Sequence, residues 1–133
     1  MLDKIVAPKD KIVYKRCKYV IDENNRLLSA CEDLEAGDIY SLGQKMFQTH
    51  SGLSEEYEVS CKELDFLVNN VRYNPAVIGA RMMGGGFGGC TINLVKEEAI
   101  PMLAEKLGKE YKNATGLDLT VYVANSENGT HII

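Results

Sequence analysis

Six of the twelve glycines in this chain fall between Gly79 and Gly89, where Gly84, Gly85, Gly86, Gly88 and Gly89 are interrupted only by Phe87. Glycine loses more backbone freedom on folding than any other residue, so the cluster needs a cause: positive φ, or an approach too close for a Cβ. A phosphate group supplies one, because successive free amides form an anion-binding nest. The spacing Gly84, Gly86, Gly89 also satisfies G-x-G-x-x-G. That dinucleotide fingerprint needs a helix to start at the loop, whereas Thr91, Ile92 and Val95 make the next segment strand-like, and no Lys-Ser or Lys-Thr follows to complete a P-loop. On spacing alone a plain hairpin turn or close packing site stays open.

Other groups with chemical potential are sparse. There are two histidines, His50 and His131, too few for a metal cluster or a conventional Ser/His/Asp triad. His50 falls on the apolar side of a helix and reads as a core histidine rather than a general base. Glu55, Glu56 and Glu58, and the run Glu32 to Glu35, read as solvated surface. Cys17, Cys31, Cys61 and Cys90 lie far apart, without metal-ligand or redox spacing, and are expected to be unbridged.

The elements that must position the glycine cluster follow from periodicity. Tyr14, Cys17, Val20, Ile21, Leu27, Leu28, Cys31 and Leu34 recur every three or four residues. This predicts a helix from Asp10 to Ala36, capped by Asp10, with that stripe in the core. A second helix from Asp38 to Ser51 or Gly52 should pair with it as a hairpin. Ser60 and Glu63 form a capping box before a third helix over Leu64 to Val71, stopped at Asn74 and Pro75. Val77 to Met83 and Cys90 to Val95 read as an antiparallel pair of strands around the glycine loop. A fourth helix is expected from Glu97 with Pro101 in its first turn, closed by Gly116. Leu117, Leu119, Val121 and Val123 alternate like a strand, and Asn128-Gly129 suggests a turn before a last strand at His131 to Ile133.

The chain has 133 residues, 45% apolar and 26% charged, with a formal net charge of -4. This composition fits one globular domain over residues 1–133 and excludes disorder. The acidic balance leaves no footprint for nucleic acid or an anionic membrane, so neither is expected as a partner. No apolar run approaches the roughly 18 residues of a membrane span, and Asp3, Lys4 and Pro8 leave no apolar core for a signal peptide; a cytoplasmic location is expected.

The string GARMMGGGFGGCTINLV, Gly79 to Val95, resembles the third conserved motif of the galactokinases, which belong to the small-molecule kinase superfamily of homoserine and mevalonate kinases. RCKYVIDENNRLLSA (Arg16 to Ala30), GDIYSLGQKMFQTHSGL (Gly37 to Leu53) and YEVSCKELDFLV (Tyr57 to Val68) are similar to further galactokinase segments in the same order. The glycine loop marks the superfamily. His50-Ser51-Gly52-Leu53 and the run Val59 to Asp65 are more specific to galactokinases.

The resemblance implies an α+β, ferredoxin-like C-terminal kinase domain, with an antiparallel sheet of about four strands and helices on one face. It also implies that the sugar-binding motif, the Ser-rich ATP phosphate loop and the catalytic Asp and Arg belong to an N-terminal domain absent here. By that resemblance the complete enzyme moves the γ-phosphate of ATP, with Mg²⁺, to the anomeric hydroxyl of galactose. This chain alone is expected to be inactive, to bind no cofactor, and to supply no catalytic residue or metal ligand. Gly84, Gly85, Gly86, Phe87, Gly88 and Gly89 then correspond to a phosphate-site loop at the domain junction. Phe87 and Met82 or Met83 are expected to be bare without the partner domain, which allows self-association. Arg81 is a candidate charge on the nucleotide side, with a solvated or ion-paired arginine as the plainer reading. Met83 departs from the family, which usually has Thr there, so a hydroxyl role is lost. The family also contains non-catalytic sugar sensors, and a related sugar such as N-acetylgalactosamine stays open as substrate.

Overall fold

The structure, a computed structural model, describes residues 2–125. In chain order it contains α1 (Leu2–Ile5), α2 (Lys11–Glu35), α3 (Ile39–Glu55), α4 (Lys62–Val71), β1 (Val77–Met83), β2 (Cys90–Val95), a 3-10 turn (Glu97–Ala99) and α5 (Ile100–Thr115). Asp10 caps α2 by accepting from the amides of Ile12 and Val13 at 2.9 and 3.0 Å. Asp38 caps α3 through the amide of Ser41 at 3.0 Å. Gly116 ends α5 in the left-handed region at φ +76°.

β1 and β2 form an antiparallel pair from Val77↔Val95 to Met83↔Cys90, with an irregularity between Val77 and Gly79. The core lies between this pair and three helices, built from Phe47, Val68, Val71, Val77, Ala80, Leu103 and Leu107. Helix α3 lies against the edge of β1 that β2 leaves free. His50 Nδ1 accepts the Met82 amide there at 3.2 Å, and Gly43 sits on the Ile78 carbonyl. That approach is possible only without a side chain, since a Cβ on Gly43 would fall 2.1 Å from Ile78 O and one on Gly79 would fall 2.5 Å from Gly43 Cα. The edge is thereby closed to a further strand.

Several expectations need correction. The sheet has two strands among the described residues rather than about four. Residues 117–123 are not in a sheet ladder, although Leu119 packs against the core. Alternation shows that a segment can be a strand, and a ladder also requires a partner edge. The turn at Asn128-Gly129, the strand at His131 to Ile133 and His131 itself lie outside the described residues. The capping box is not formed: Cys61 is the N-cap of α4 without a side-chain bond. Helix α3 continues past Gly52 to Glu55, and the turn Glu97–Ala99 is 3-10 before α5 begins at Ile100.

The largest correction concerns α2, whose expected core stripe faces away from the other described elements. Val20, Ile21, Leu27, Leu28 and Leu34 are all exposed. The side that meets α3 is instead polar: Thr49 Oγ1 donates to Glu23 Oε1 at 2.7 Å, Lys45 pairs with Asp33, and Arg26 braces Glu23. Tyr19 is the buried aromatic of this seam, lying over Gly52 and tilted against Tyr57 at 5.4 Å between ring centroids. Periodicity identified the helix and its stripe but not the direction in which the stripe points.

Candidate functional site

The glycine cluster forms the connection between β1 and β2. Gly84, Gly86, Gly88 and Gly89 adopt φ of +86°, +87°, +139° and +100°, which explains their identity sterically. Two non-glycine residues also have positive φ, Glu58 at +61° and Phe87 at +59°. They flank one contact. The Phe87 amide donates to the Val59 carbonyl at 2.7 Å, and a Cβ on Gly86 would lie 2.1 Å from that oxygen. The loop is therefore tied at one point to the segment between α3 and α4, while Gly84, Gly85 and Gly88 have open space where a Cβ would sit.

That anchoring segment is itself held by a polar cluster. Asp65 accepts from Ser60 at 2.6 Å and from Ser54 at 3.0 Å, and lies 3.2 Å from His50 Nε2. The last contact is close but falls outside hydrogen-bond geometry. On the anchor's other flank, Glu58 receives Lys15 and Arg16, each at 3.2 Å. These bonds hold the Glu58 carboxyl below its ordinary range.

His50 is 2% exposed and holds β1 through the Met82 amide. Burial pushes its pKa down from the ordinary value; Asp65 opposes the shift and Arg72 adds to it. A neutral ring accepting at Nδ1 fits the core role expected for it. Met82 is fully buried, whereas Met83 is 45% and Phe87 77% exposed, so of the two methionines left open it is Met83 that is bare beside the loop. Arg81 is half-buried and turned back onto its own strand, donating to the Met82 carbonyl at 3.0 Å, and has no carboxylate partner among the described residues.

A cleft of about 240 Å³ runs beside the loop, lined by Phe87, Gly88 and Gly89 together with Cys61, Leu64 and Tyr111. The larger hollow beside Tyr40 and Gln44, on the outer side of α3, lacks the loop. Among the described residues no three His, Cys, Asp or Glu side chains converge as a metal site. Glu55, Glu56 and Glu58 do not form one, and Glu58 is already ion-paired. All four cysteines carry free thiols. Sequence reasoning missed the Val59 anchor and the Asp65 hub. The run Val59 to Asp65 pointed to both, but a backbone carbonyl leaves no side-chain signature.

Residues 30–113 match the family described as GHMP kinases C terminal. The chain is 42% identical over 119 residues to a galactokinase of Thermotoga petrophila, covering 90% of this chain and 34% of that protein. It is 43% identical over 124 residues to a galactokinase of Clostridium beijerinckii, covering 93% and 32%. The fold is similar to that of Lactococcus lactis galactokinase, solved in complex with galactose, with a TM-score of 0.82 at 32% identity over 88% of this chain and 30% of that one. The chain thus spans about a third of the length of the curated relatives it matches.

Proposed function

Since this chain belongs to the GHMP kinases C terminal family, we propose that it is the C-terminal third of a galactokinase, in which it forms one wall of the phosphate site. The observation that carries the reading is likeness to galactokinases over nine-tenths of the chain, combined with a glycine loop that is anchored at Val59 and otherwise open. The catalytic Asp and Arg, the sugar pocket and the Ser-rich loop belong to the N-terminal domain, the partner of this chain.

ATP supplies the phosphoryl group that passes to the anomeric hydroxyl of galactose. Such transfers depend chiefly on positioning and on stabilising charge around the phosphates. The loop fits that task, because Phe87 is its one amide with a backbone partner among the described residues, leaving the amides of Gly84, Gly85, Gly86, Gly88 and Gly89 as donors. Phe87 fixes the loop and presents its ring to the domain junction. Arg81 adds positive charge on the same hairpin. Met83 brings no hydroxyl.

The chain alone lacks the groups that align the reactants, and alignment contributes about 7 to 11 kcal/mol to such a barrier. It is therefore inactive by itself. The test is a chimera in which residues 1–133 replace the matching third of the Thermotoga petrophila galactokinase. It should phosphorylate galactose with ATP, whereas the isolated chain should match a boiled control. Gly85→Ala should cut turnover at least tenfold without lowering the melting temperature, because the added Cβ meets nothing within 4 Å among the described residues. A folded chimera with no kinase activity on galactose, or full turnover in Gly85→Ala, refutes the reading. Activity confined to N-acetylgalactosamine would reassign the sugar.

A further inference from the structure

The outward stripe of α2 is an apolar surface without a partner among the described residues. Val13, Val20, Leu27, Leu28 and Leu34 lie along it, with Leu27 61% and Leu28 66% exposed. Asn24 sits among them, and the stripe carries no charged side chain along positions 13, 17, 20, 24, 27, 28, 31 and 34. A helix on a protein surface normally turns its polar face to water. Here the polar face is used inside, where Glu23 and Asp33 bond to α3. Reversing the helix would bury the stripe at the expense of those bonds, so the inversion is built into the α2–α3 seam. A contiguous apolar surface of this kind marks an interaction site.

Two facts identify the occupant. The matched family domain is the C-terminal one, and about two-thirds of the relatives' length has no counterpart here, so the unmatched length lies upstream. The family match also begins at residue 30, which leaves most of α2 outside the domain's common part. This element therefore lies at the boundary between the shared domain and the upstream chain. We propose that the outward stripe of α2 is the docking surface for the upstream part of the galactokinase polypeptide, a second contact in addition to the glycine loop. The inference rests on the proposed galactokinase reading.

Two native thiols on the stripe report its occupancy: Cys31 is exposed and Cys17 half-buried. Peptide-resolved maleimide labelling of the isolated chain and of the Thermotoga chimera, each against its denatured form, measures their protection. Cys31 should label at least tenfold more slowly in the chimera than in the dilute isolated chain. Equal rates in a folded chimera overturn the docking surface. Protection that appears on concentrating the isolated chain and is absent from the chimera assigns the stripe to a second copy and overturns it equally. Leu27→Glu with Leu28→Glu gives an independent measure. It should lower the melting temperature of the chimera by several degrees and leave the isolated chain within about one degree, and equal shifts in both count against docking. An inactive chimera with Cys31 protected sinks the kinase reading and keeps the surface; an active chimera with Cys31 reactive does the reverse.

Discussion

Neighbouring glycines in the loop should respond oppositely to the same added methyl group, and Gly86→Ala is the informative change. At φ +87° an L-residue costs about 1 to 2 kcal/mol. The new Cβ would also sit 2.1 Å from Val59 O and 2.9 Å from Val59 C, and this carbonyl belongs to a segment fixed by Ser60 and Asp65. Two routes of relief exist. The loop can accept the strain, at several kcal/mol, or leave Val59 and forfeit the Phe87 amide bond, worth about 0.5 to 1.5 kcal/mol. The cheaper route sets the outcome, so the loss, φ cost and forfeited bond together, should be about 1.5 to 3.5 kcal/mol and appear as a lower urea midpoint with unchanged slope. Gly85→Ala meets nothing within 4 Å and has no positive φ. By reducing the freedom of the unfolded chain it should raise stability by about 0.4 to 1 kcal/mol. Hydrogen exchange at Phe87 adds a local readout, since its protection should fall in Gly86→Ala only. Equal urea midpoints for the two variants would show that the Val59 anchor does not shape the loop.

Gly43→Ala should be far more damaging, about 3 kcal/mol or more, because its Cβ meets Ile78 O at 2.1 Å inside the α3–β1 contact where neither backbone can leave; a change below 1 kcal/mol in chemical denaturation refutes the close approach. Burial depresses the His50 pKa, so the unfolded chain binds the extra proton first and stability should fall as pH drops below about 6.5, with a slope of at most about 1.4 kcal/mol per pH unit. His50→Asn, whose amide oxygen can accept from Met82, should flatten that slope between pH 5 and 6.5; an unchanged slope assigns it elsewhere. The Tyr19 hydroxyl is buried without a partner among the described residues, and Tyr19→Phe should leave stability unchanged or raise it by about 1 kcal/mol in thermal melts; a clear loss would reveal a bond to that oxygen.

The loop and helices were legible because each carries a local cause. Gly84, Gly86, Gly88 and Gly89 have the identity that positive φ demands, and Asp10 bonds the amides that a cap should bond. What the sequence concealed was relational. The amphipathic period of α2 has two faces, and a single chain cannot say which meets its neighbour. Polar residues normally lose that competition, but Glu23 and Asp33 have partners at Thr49 and Lys45 that remove the penalty for burying them. The choice between Met82 and Met83 stayed open for a similar reason. Alternation puts Met82 and Met83 on opposite sides of β1, yet only the His50 bond to the Met82 amide and the packing around it show which is inside. The Val59 carbonyl has no residue type to betray it. These features share one physical origin: α3 lies along β1, takes its edge and fixes the segment that holds the glycine loop. The loop's position thus depends on the helix–strand contact at Gly43 and Gly79, and a substitution there should disturb Phe87 even though no side chain connects the two.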